Sequence, residues 1–259
     1  MYALQALGVA KTYGGVIALK GVDFAVRPGS VHALLGENGA GKSTLVKIMT
    51  GAVRPSAGSL SLASRPVSFR NTAHAVREGV AVVAQELSLF PGLDILDNLF
   101  PMREPRIGPF IDRRKMRALA LPVLEELGID RRLDTPVADL TLAERQLVEI
   151  AKALIVRPKV LLLDEPTSAL EAGTSARLLK LLGILRERQV GVVFVSHILE
   201  QVMSLCDEVT ILRDGAVIMA AQPLESLSMG DLWWVPCWAT RPGARRARPA
   251  RGPIRHCRA

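Results

Sequence analysis

The chain has 259 residues, of which 49% are hydrophobic and 22% are charged. This length and composition exclude a disulfide-stabilised miniprotein and wholesale disorder, and they predict a folded body with a substantial core. The formal net charge of +8 does not by itself indicate a nucleic-acid partner, because residues 1–232 hold 26 basic and 25 acidic side chains. The excess of positive charge lies almost entirely in residues 233–259, which hold seven arginines and no acid.

The last 27 residues also differ in composition, since they contain all three tryptophans and two of the three cysteines. We expect this tail to be disordered or the product of a frameshift or a truncated reading, with residues 1–232 forming the folded domain. A rival interpretation is an RNA or anionic-surface contact through the arginines. We nevertheless expect no nucleic acid among the partners.

The small number of cysteines and the shortness of the apolar runs bear on the cellular compartment of the protein. Cys206 is the one cysteine of residues 1–232, so no disulfide framework is expected, which is typical of a reducing compartment. No basic segment opens the sequence, and no apolar run approaches the roughly 18 residues of a spanning helix. We therefore expect any membrane association to come through a partner.

In chain order, the sequence predicts strands, a glycine loop and a helix, followed by further strands separated by helices. The strands are expected at 3–9, 22–26, 31–35, 80–83, 160–163 and 192–195, and the helix after the glycine loop at 43–50. Continuous apolar strands between helices indicate an α/β fold with a mostly parallel sheet and an N-terminal antiparallel β part.

Between about 86 and 158 the strand pattern disappears and a helical insert is predicted. Asp112 is a candidate N-cap, followed by apolar residues at helical spacing; these are Met116, Leu119, Val123 and Leu127. Pro122 lies inside this pattern and is expected to kink or split the helix.

Gly36-Glu37-Asn38-Gly39-Ala40-Gly41-Lys42-Ser43-Thr44 matches the phosphate-loop pattern. Glycines at these spacings let successive backbone N–H groups point at phosphate oxygens, and the following helix directs its positive end at the same anion. Lys42 is predicted to reach the β- and γ-phosphates, and the Ser43 hydroxyl is predicted to bind Mg²⁺. The sequence thus predicts a site for ATP and Mg²⁺.

Two adjacent acids follow the apolar run Leu161-Leu162-Leu163. An unpaired charge at the end of a buried strand is costly, and a cation removes that cost. Asp164 is therefore a candidate for holding Mg²⁺ through water. Glu165 is a candidate for orienting and deprotonating an attacking water.

The phosphate loop, the run Asp164-Glu165-Pro166-Thr167-Ser168 and Val195-Ser196-His197 together resemble the ATP-binding subunit of an ABC transporter. The resemblance implies a P-loop NTPase (RecA-like) core. It implies that Tyr13 stacks on adenine, that Gln85 senses Mg²⁺ and the membrane partner, and that His197 contacts the γ-phosphate. It also implies a D-loop at 168–171, with Glu171 where the family often has Asp.

The segment Leu140-Thr141-Leu142-Ala143-Glu144-Arg145-Gln146 occupies the position of the family signature, commonly LSGGQ. Thr141 keeps a hydroxyl for the opposite ATP, and Thr141 with Glu144 fits a capping box. The Glu144 carboxylate is then expected near a helix end meant for phosphate, weakening closure by about 0.3 to 1 kcal/mol. A subfamily that ordinarily uses this variant is the open alternative.

Residues 142–154 resemble monosaccharide importers of the ribose, galactose and arabinose type. The resemblance implies an ATP-hydrolysing subunit that works with transmembrane permease subunits and a second ATPase domain, and indirectly with a periplasmic solute-binding protein. It also implies a peripheral place on the cytoplasmic face of the bacterial inner membrane. Such importers usually carry two ATPase domains in one chain, and the sequence shows the first alone.

Other interpretations stay open at this point. Nucleoside or other small polar solutes could replace the sugar, and the chain could be a catalytically idle half. A P-loop kinase would lack the acidic pair and the histidine, and a soluble ABC-type translation or repair factor would normally show a paired domain or a coiled-coil insertion.

Overall fold

The computed structural model describes residues 1–165 and 172–232. The helices are α1 (Lys42–Met49), α2 (Thr72–Glu78), α3 (Ile95–Leu99), α4 (Arg113–Glu126), α5 (Leu142–Leu154), α6 (Ala172–Glu187) and α7 (Leu199–Leu205). The strands are β1 (Leu4–Tyr13), β2 (Val16–Val26), β3 (Val31–Gly36), β4 (Ala57–Leu62), β5 (Arg65–Val67), β6 (Val80–Val83), β7 (Arg106–Ile107), β8 (Phe110–Ile111), β9 (Val160–Asp164), β10 (Gly191–Val195), β11 (Glu208–Arg213) and β12 (Ala216–Pro223).

A central sheet has the order β12-β11-β3-β10-β9-β6. Strands β11, β3, β10, β9 and β6 are parallel, and β12 pairs antiparallel with β11 at one edge. Their apolar runs are buried on both faces, as expected for parallel strands covered by helices. The predicted α/β fold with a mostly parallel sheet is therefore confirmed.

A second sheet has the order β2-β1-β4-β5 and is antiparallel throughout. It is the predicted N-terminal β part, although β1 and β2 are 10 and 11 residues long and extend beyond the apolar runs that indicated them. The turn of Gly14 and Gly15 joins the end of β1 to the start of β2, and register shifts interrupt the pairing of the two strands.

Two apolar clusters lie on opposite faces of the central sheet because side chains alternate along each strand. Leu161, Leu163 and Phe194 belong to the cluster that includes the helical region, whereas Leu162 and Val193 face the antiparallel sheet and α1. The central sheet thus packs against the helical region on one face and against the antiparallel sheet and α1 on the other. This packing fixes the loops at the ends of its strands.

The helical insert contains α3, α4 and α5, and Asp112 caps α4 by accepting a hydrogen bond from the Lys115 N–H. Its predicted apolar face was partly wrong. Met116 is fully buried, but Leu119 is 38% exposed, and the buried residues next along the helix are Ala120 and Leu124. The buried stripe runs at i, i+4 and i+8, so Leu119 lies beside it.

Two observations on the insert differ from expectation. A split of the helix at Pro122 is wrong, because α4 runs unbroken from Arg113 to Glu126, and a kink there stays a prediction. The proline is exposed, as is Ala118, whose carbonyl an N–H at position 122 would have bonded in a regular helix. The hairpin of β7 and β8 also lies in the region where no strand was predicted.

Among residues 1–165 and 172–232, no helix combines the length and apolar character that crossing a membrane requires. The D-loop assignment at 168–171, with Pro166 and Thr167 before it, lies outside the described residues. So does the predicted tail at 233–259.

Candidate functional site: a phosphate loop beside a held carboxylate

The candidate site lies where four neighbouring parallel strands end. Strands β3, β10, β9 and β6 are adjacent in the sheet. The phosphate loop follows β3, His197 follows β10, Asp164 and Glu165 lie at the end of β9, and Gln85 follows β6. Because the carboxyl ends of parallel strands meet at one edge, the topology brings these predicted residues to the same edge of the sheet.

The phosphate loop leaves the start of α1 free to bind an anion. Gly41 is the N-cap of α1 with φ +105°, and no side chain caps the helix there. Lys42 opens the helix one residue earlier than predicted, and Ser43, which is exposed, and Thr44 lie in its first turn. Uncapped N–H groups and the helix dipole favour a phosphate at this point.

The loop itself is closely packed where it leaves the sheet. A Cβ on Gly36, whose φ is +153°, would lie 2.4 Å from the Leu212 carbonyl oxygen of β11. Ala40 is buried, and its carbonyl accepts a hydrogen bond from the Gly215 N–H at 3.1 Å. Asn38 and Gly39 at the tip are exposed, so the loop presents an open backbone tip on a fixed base.

Lys42 folds back over this loop. Its Nζ donates to the carbonyl oxygens of Gly36 at 2.6 Å and Glu37 at 3.1 Å. Burial lowers the pKa of Lys42, while the charges of Glu165 and Asp164 oppose that shift. The ammonium is therefore directed at the loop and lies within the electrostatic field of both acids.

Glu165 is held between Gln85 and His197, which follow β6 and β10, the two strands adjacent to β9. Gln85 Nε2 donates to its Oε2 at 2.9 Å, and His197 Nδ1 lies 3.1 Å from its Oε1. A carboxylate can only accept, so this contact requires a hydrogen on Nδ1 of His197. Glu165 has φ +47°, a strained conformation costing about 1 to 3 kcal/mol, and its N–H donates to the Val195 carbonyl.

Asp164 provides the chemistry that a magnesium site needs. Its pKa is raised, first because burial disfavours the charged form and then because Glu165 lies beside it. A divalent cation would remove both penalties. The candidate donors, namely the Asp164 carboxylate, the Ser43 hydroxyl and the Gln85 amide oxygen, are the oxygen ligands that Mg²⁺ accepts, so the residues present fit the ion.

Two further predicted site residues are exposed on the surface. Tyr13 at the end of β1 is 43% exposed, and the ammonium of Lys11 lies 5.1 Å from its ring centroid. Thr141 is exposed at the start of α5. Among the described residues, no hydrogen bond joins Tyr13 or Thr141 to the phosphate loop, Gln85, Glu165 or His197.

The signature segment forms the capping box that the sequence predicts. Thr141 Oγ1 accepts from the Glu144 N–H, and Glu144 Oε2 accepts from the N–H and hydroxyl of Thr141. Arg131, which no sequence pattern indicated, donates from its Nε to Glu144 Oε1 at 2.7 Å. Arg131 and then Thr141 lower the pKa of Glu144, so the carboxylate stays charged but is paired.

Several known proteins are similar to this chain in sequence. The chain is 47% identical over 215 residues to a "Ribose import ATP-binding protein RbsA 1" of Rubrobacter xylanophilus, covering 83% of this chain and 43% of the relative. It is 41% identical over 231 residues to the "Galactose/methyl galactoside import ATP-binding protein MglA" of Sodalis glossinidius, covering 89% and 46%. The chain thus spans less than half the length of these relatives.

Among solved structures, the fold matches that of MJ1267, an ATP-binding cassette of an ABC transporter in its ADP conformation. The TM-score is 0.80 at 23% identity, over 93% of this chain and 100% of that one. CbiO1 of Clostridium perfringens matches with a TM-score of 0.76 at 26% identity, over 89% and 92% of the two chains. The P-loop NTPase fold is therefore confirmed. The family model described as "ABC transporter" matches residues 19–168, more than half of the chain, and the chain belongs to the ABC transporter family.

Proposed function

We propose that the chain is the ATP-hydrolysing part of an ABC importer for a simple sugar. The single observation that carries the catalytic part is the Glu165 carboxylate, held by Gln85 and His197 at the sheet edge where the phosphate loop begins. The printed functions of the relatives, ribose and galactose import, support the sugar. As a further part of the proposal, the chain works at the cytoplasmic face of the membrane against permease subunits and a second ATPase domain.

In the proposed reaction, water attacks the γ-phosphorus of ATP, the bond to the β-γ bridging oxygen breaks, and ADP and phosphate leave. Glu165 accepts the proton that the water loses, and Gln85 and His197 fix the direction of its carboxylate. The N–H groups of the loop and Lys42 hold the phosphate oxygens as negative charge moves toward the leaving ADP. Bound Mg²⁺, held by Asp164, Ser43 and Gln85, would neutralise phosphate charge.

The proposal predicts how the partners contribute. Thr141 is exposed at the start of α5, and we propose that it faces ATP held by another ATPase domain. Tyr13 is 43% exposed, and we propose that the accessible part of its ring stacks on the adenine base. ATP binding would then close two domains on each other, and hydrolysis would release them.

Phosphate release by the purified full chain tests the catalytic part. We expect magnesium-dependent turnover that rises steeply with protein concentration, because two domains must meet. Glu165→Gln should lower turnover by about 100-fold or more, the usual contribution of a general base, and should leave ATP binding intact. Turnover that is negligible at every concentration, or equal in Glu165→Gln, would refute the proposal.

Uptake in cells tests the sugar. Cells that lack this gene should take up labelled ribose or galactose more slowly, and the unmodified gene, but not a Lys42→Ala copy, should restore uptake. Unchanged uptake of both sugars would contradict the assignment of the cargo while leaving the ATPase proposal standing.

A further inference from the structure

An apolar cavity lies beside the candidate site without forming part of it. Its volume is about 480 Å³, and its walls come from the ends of β3 and β11, from β12 and from the start of α7. Gly36 and His197 line it, whereas Lys42, Gln85 and Glu165 do not. This cavity, called the β11 cavity below, is therefore separate from the place proposed for the phosphates and magnesium.

The lining of the β11 cavity suits an aromatic side chain. Its walls are mostly aliphatic, with side chains that include Ile198, Leu199, Ile211 and Ile218. The lining also includes two exposed acids, Glu37 and Glu200, and the guanidinium-bearing Arg213. An indole matches this set, because its ring packs on aliphatic walls, its single N–H donates to a carboxylate and its face attracts an arginine.

The described part of the chain stops at this cavity. Leu232, its last residue, is 4% exposed and lines the cavity. Residues 229–232 begin a helix whose start is held by Asp231, since Asp231 Oδ2 accepts from the Ser228 N–H at 2.8 Å and from the Ser228 hydroxyl at 2.7 Å. The next residues in the sequence are Trp233 and Trp234, which the chain length keeps within about 7 Å of Leu232.

Charge and proximity favour these two residues over a segment that arrives from solution. Residues 233–259 hold seven arginines and no acid, and opposite charge on Glu37 and Glu200 attracts such a segment to the cavity. A second copy of the chain would offer the same charge. Trp233 and Trp234 of the same chain, however, are held at the cavity by a covalent link and have the higher effective concentration.

We infer that the Trp233-Trp234 pair of this chain occupies the β11 cavity. The inference goes beyond the proposed function and does not depend on it, since docking of the pair requires neither a nucleotide nor a permease. With the pair in place, the folded domain extends to Trp234, two residues past the boundary at 232 that composition indicated.

Intrinsic fluorescence of the full chain tests the inference, because Trp233, Trp234 and Trp238 are the only tryptophans in the sequence. In a Trp238→Phe chain, all tryptophan emission comes from the pair. The wavelength of the emission maximum and quenching by acrylamide measure how far the two indoles are shielded from water. The same chain unfolded in guanidinium chloride gives the reference for exposed indoles.

Two further substitutions are made in the Trp238→Phe chain. Ile218→Glu puts a charge into the cavity at a side chain that is 43% exposed, and Ile111→Glu puts the same charge on β8, outside the cavity, at a side chain that is 48% exposed. We expect blue-shifted emission and weak quenching in Trp238→Phe and in its Ile111→Glu derivative. The Ile218→Glu derivative should lose both.

Quenching in Trp238→Phe equal to that of the unfolded chain would overturn the inference, as would shielding that persists in the Ile218→Glu derivative. Shielding that appears only as the protein concentration rises would overturn it in favour of a second copy as the source of the indoles.

If Ile218→Glu fails to fold, the dye ANS, which binds exposed apolar surface, decides the question. The double variant Trp233→Ala/Trp234→Ala should open the cavity and bind more ANS than Trp238→Ala does. Equal ANS binding by these two variants would overturn the inference. None of these results bears on magnesium-dependent ATP hydrolysis, which the proposed function requires.

Discussion

Replacing Gly36 by Ala tests whether the base of the phosphate loop depends on close contact with the neighbouring strand. The added Cβ would lie 2.4 Å from the Leu212 carbonyl oxygen and 3.0 Å from the Ala40 Cβ. Ordinary C···O approaches in sheets are about 3.3 to 3.6 Å, so the overlap is about 1 Å. Gly36 pairs with Leu212 in the β3–β11 register, and relief requires these two strands to separate.

Gly39→Ala is the matched control. Gly39 has φ +84°, and a Cβ there would meet no atom within 4 Å. Both substitutions place alanine in an unfavourable backbone conformation, which costs about 1 to 2 kcal/mol, and both shift the unfolded state alike. The overlap at Gly36 adds about 1 to 3 kcal/mol of overpacking. The difference between the two variants is therefore about 2 kcal/mol.

Thermal unfolding of the nucleotide-free full chain measures this difference. For a domain of this size, about 1 kcal/mol corresponds to a Tm change of about 2 to 4 °C. We expect Gly36→Ala to unfold about 4 to 8 °C below Gly39→Ala, and each variant to gain less stability from Mg²⁺ and ATP than the unmodified chain does. Equal Tm values for the two variants would refute the reasoning from close contact.

Two further substitutions test the electrostatics of the site. Asp164→Asn should raise the Tm of the nucleotide-free chain at neutral pH and abolish the magnesium dependence of ATP binding, because burial and then Glu165 raise the pKa of Asp164. The gain is full above that raised pKa and disappears as the pH falls through it toward the ordinary value of 3.8; a lower Tm at neutral pH would contradict this. Arg131→Gln should lower ATP turnover about two- to fivefold by leaving the Glu144 charge unpaired near the start of α5, Glu144→Gln should raise turnover, and the double variant should lie near the unmodified chain. Unaltered turnover in Arg131→Gln would count against an effect of this charge.

Short sequence motifs predicted many of the candidate site residues, because each motif corresponds to one strand or one loop of the structure. The apolar run 80–83 coincides with β6, and the glycine spacing marks the loop between β3 and α1. The acidic pair lies at the end of β9, with Asp164 as its last residue and Glu165 next along the chain. Parallel strands then bring Gln85, Glu165 and His197 together, although their separation along the chain is large.

Contacts between distant side chains were beyond the reach of these signals. Arg131 was one of many arginines in the sequence, and only the fold places its Nε beside Glu144. The Ser88 hydroxyl donates to the buried Glu149 from 61 residues away, and a glutamate amid the apolar residues of α5 was the one hint of a buried partner. Leu119 was assigned to the core because helical spacing alone does not show which side of α4 packs against α3 and α5.

Binding of ATP by the purified full chain, measured by titration calorimetry with and without Mg²⁺, tests the central claim most directly. The account predicts saturable binding that weakens when Mg²⁺ is removed and that falls at least about tenfold in Lys42→Ala, since charge-assisted hydrogen bonds to phosphate are lost. No binding, or the same affinity with and without Mg²⁺ and in Lys42→Ala, would contradict the claim that the loop at 36–44 holds the nucleotide.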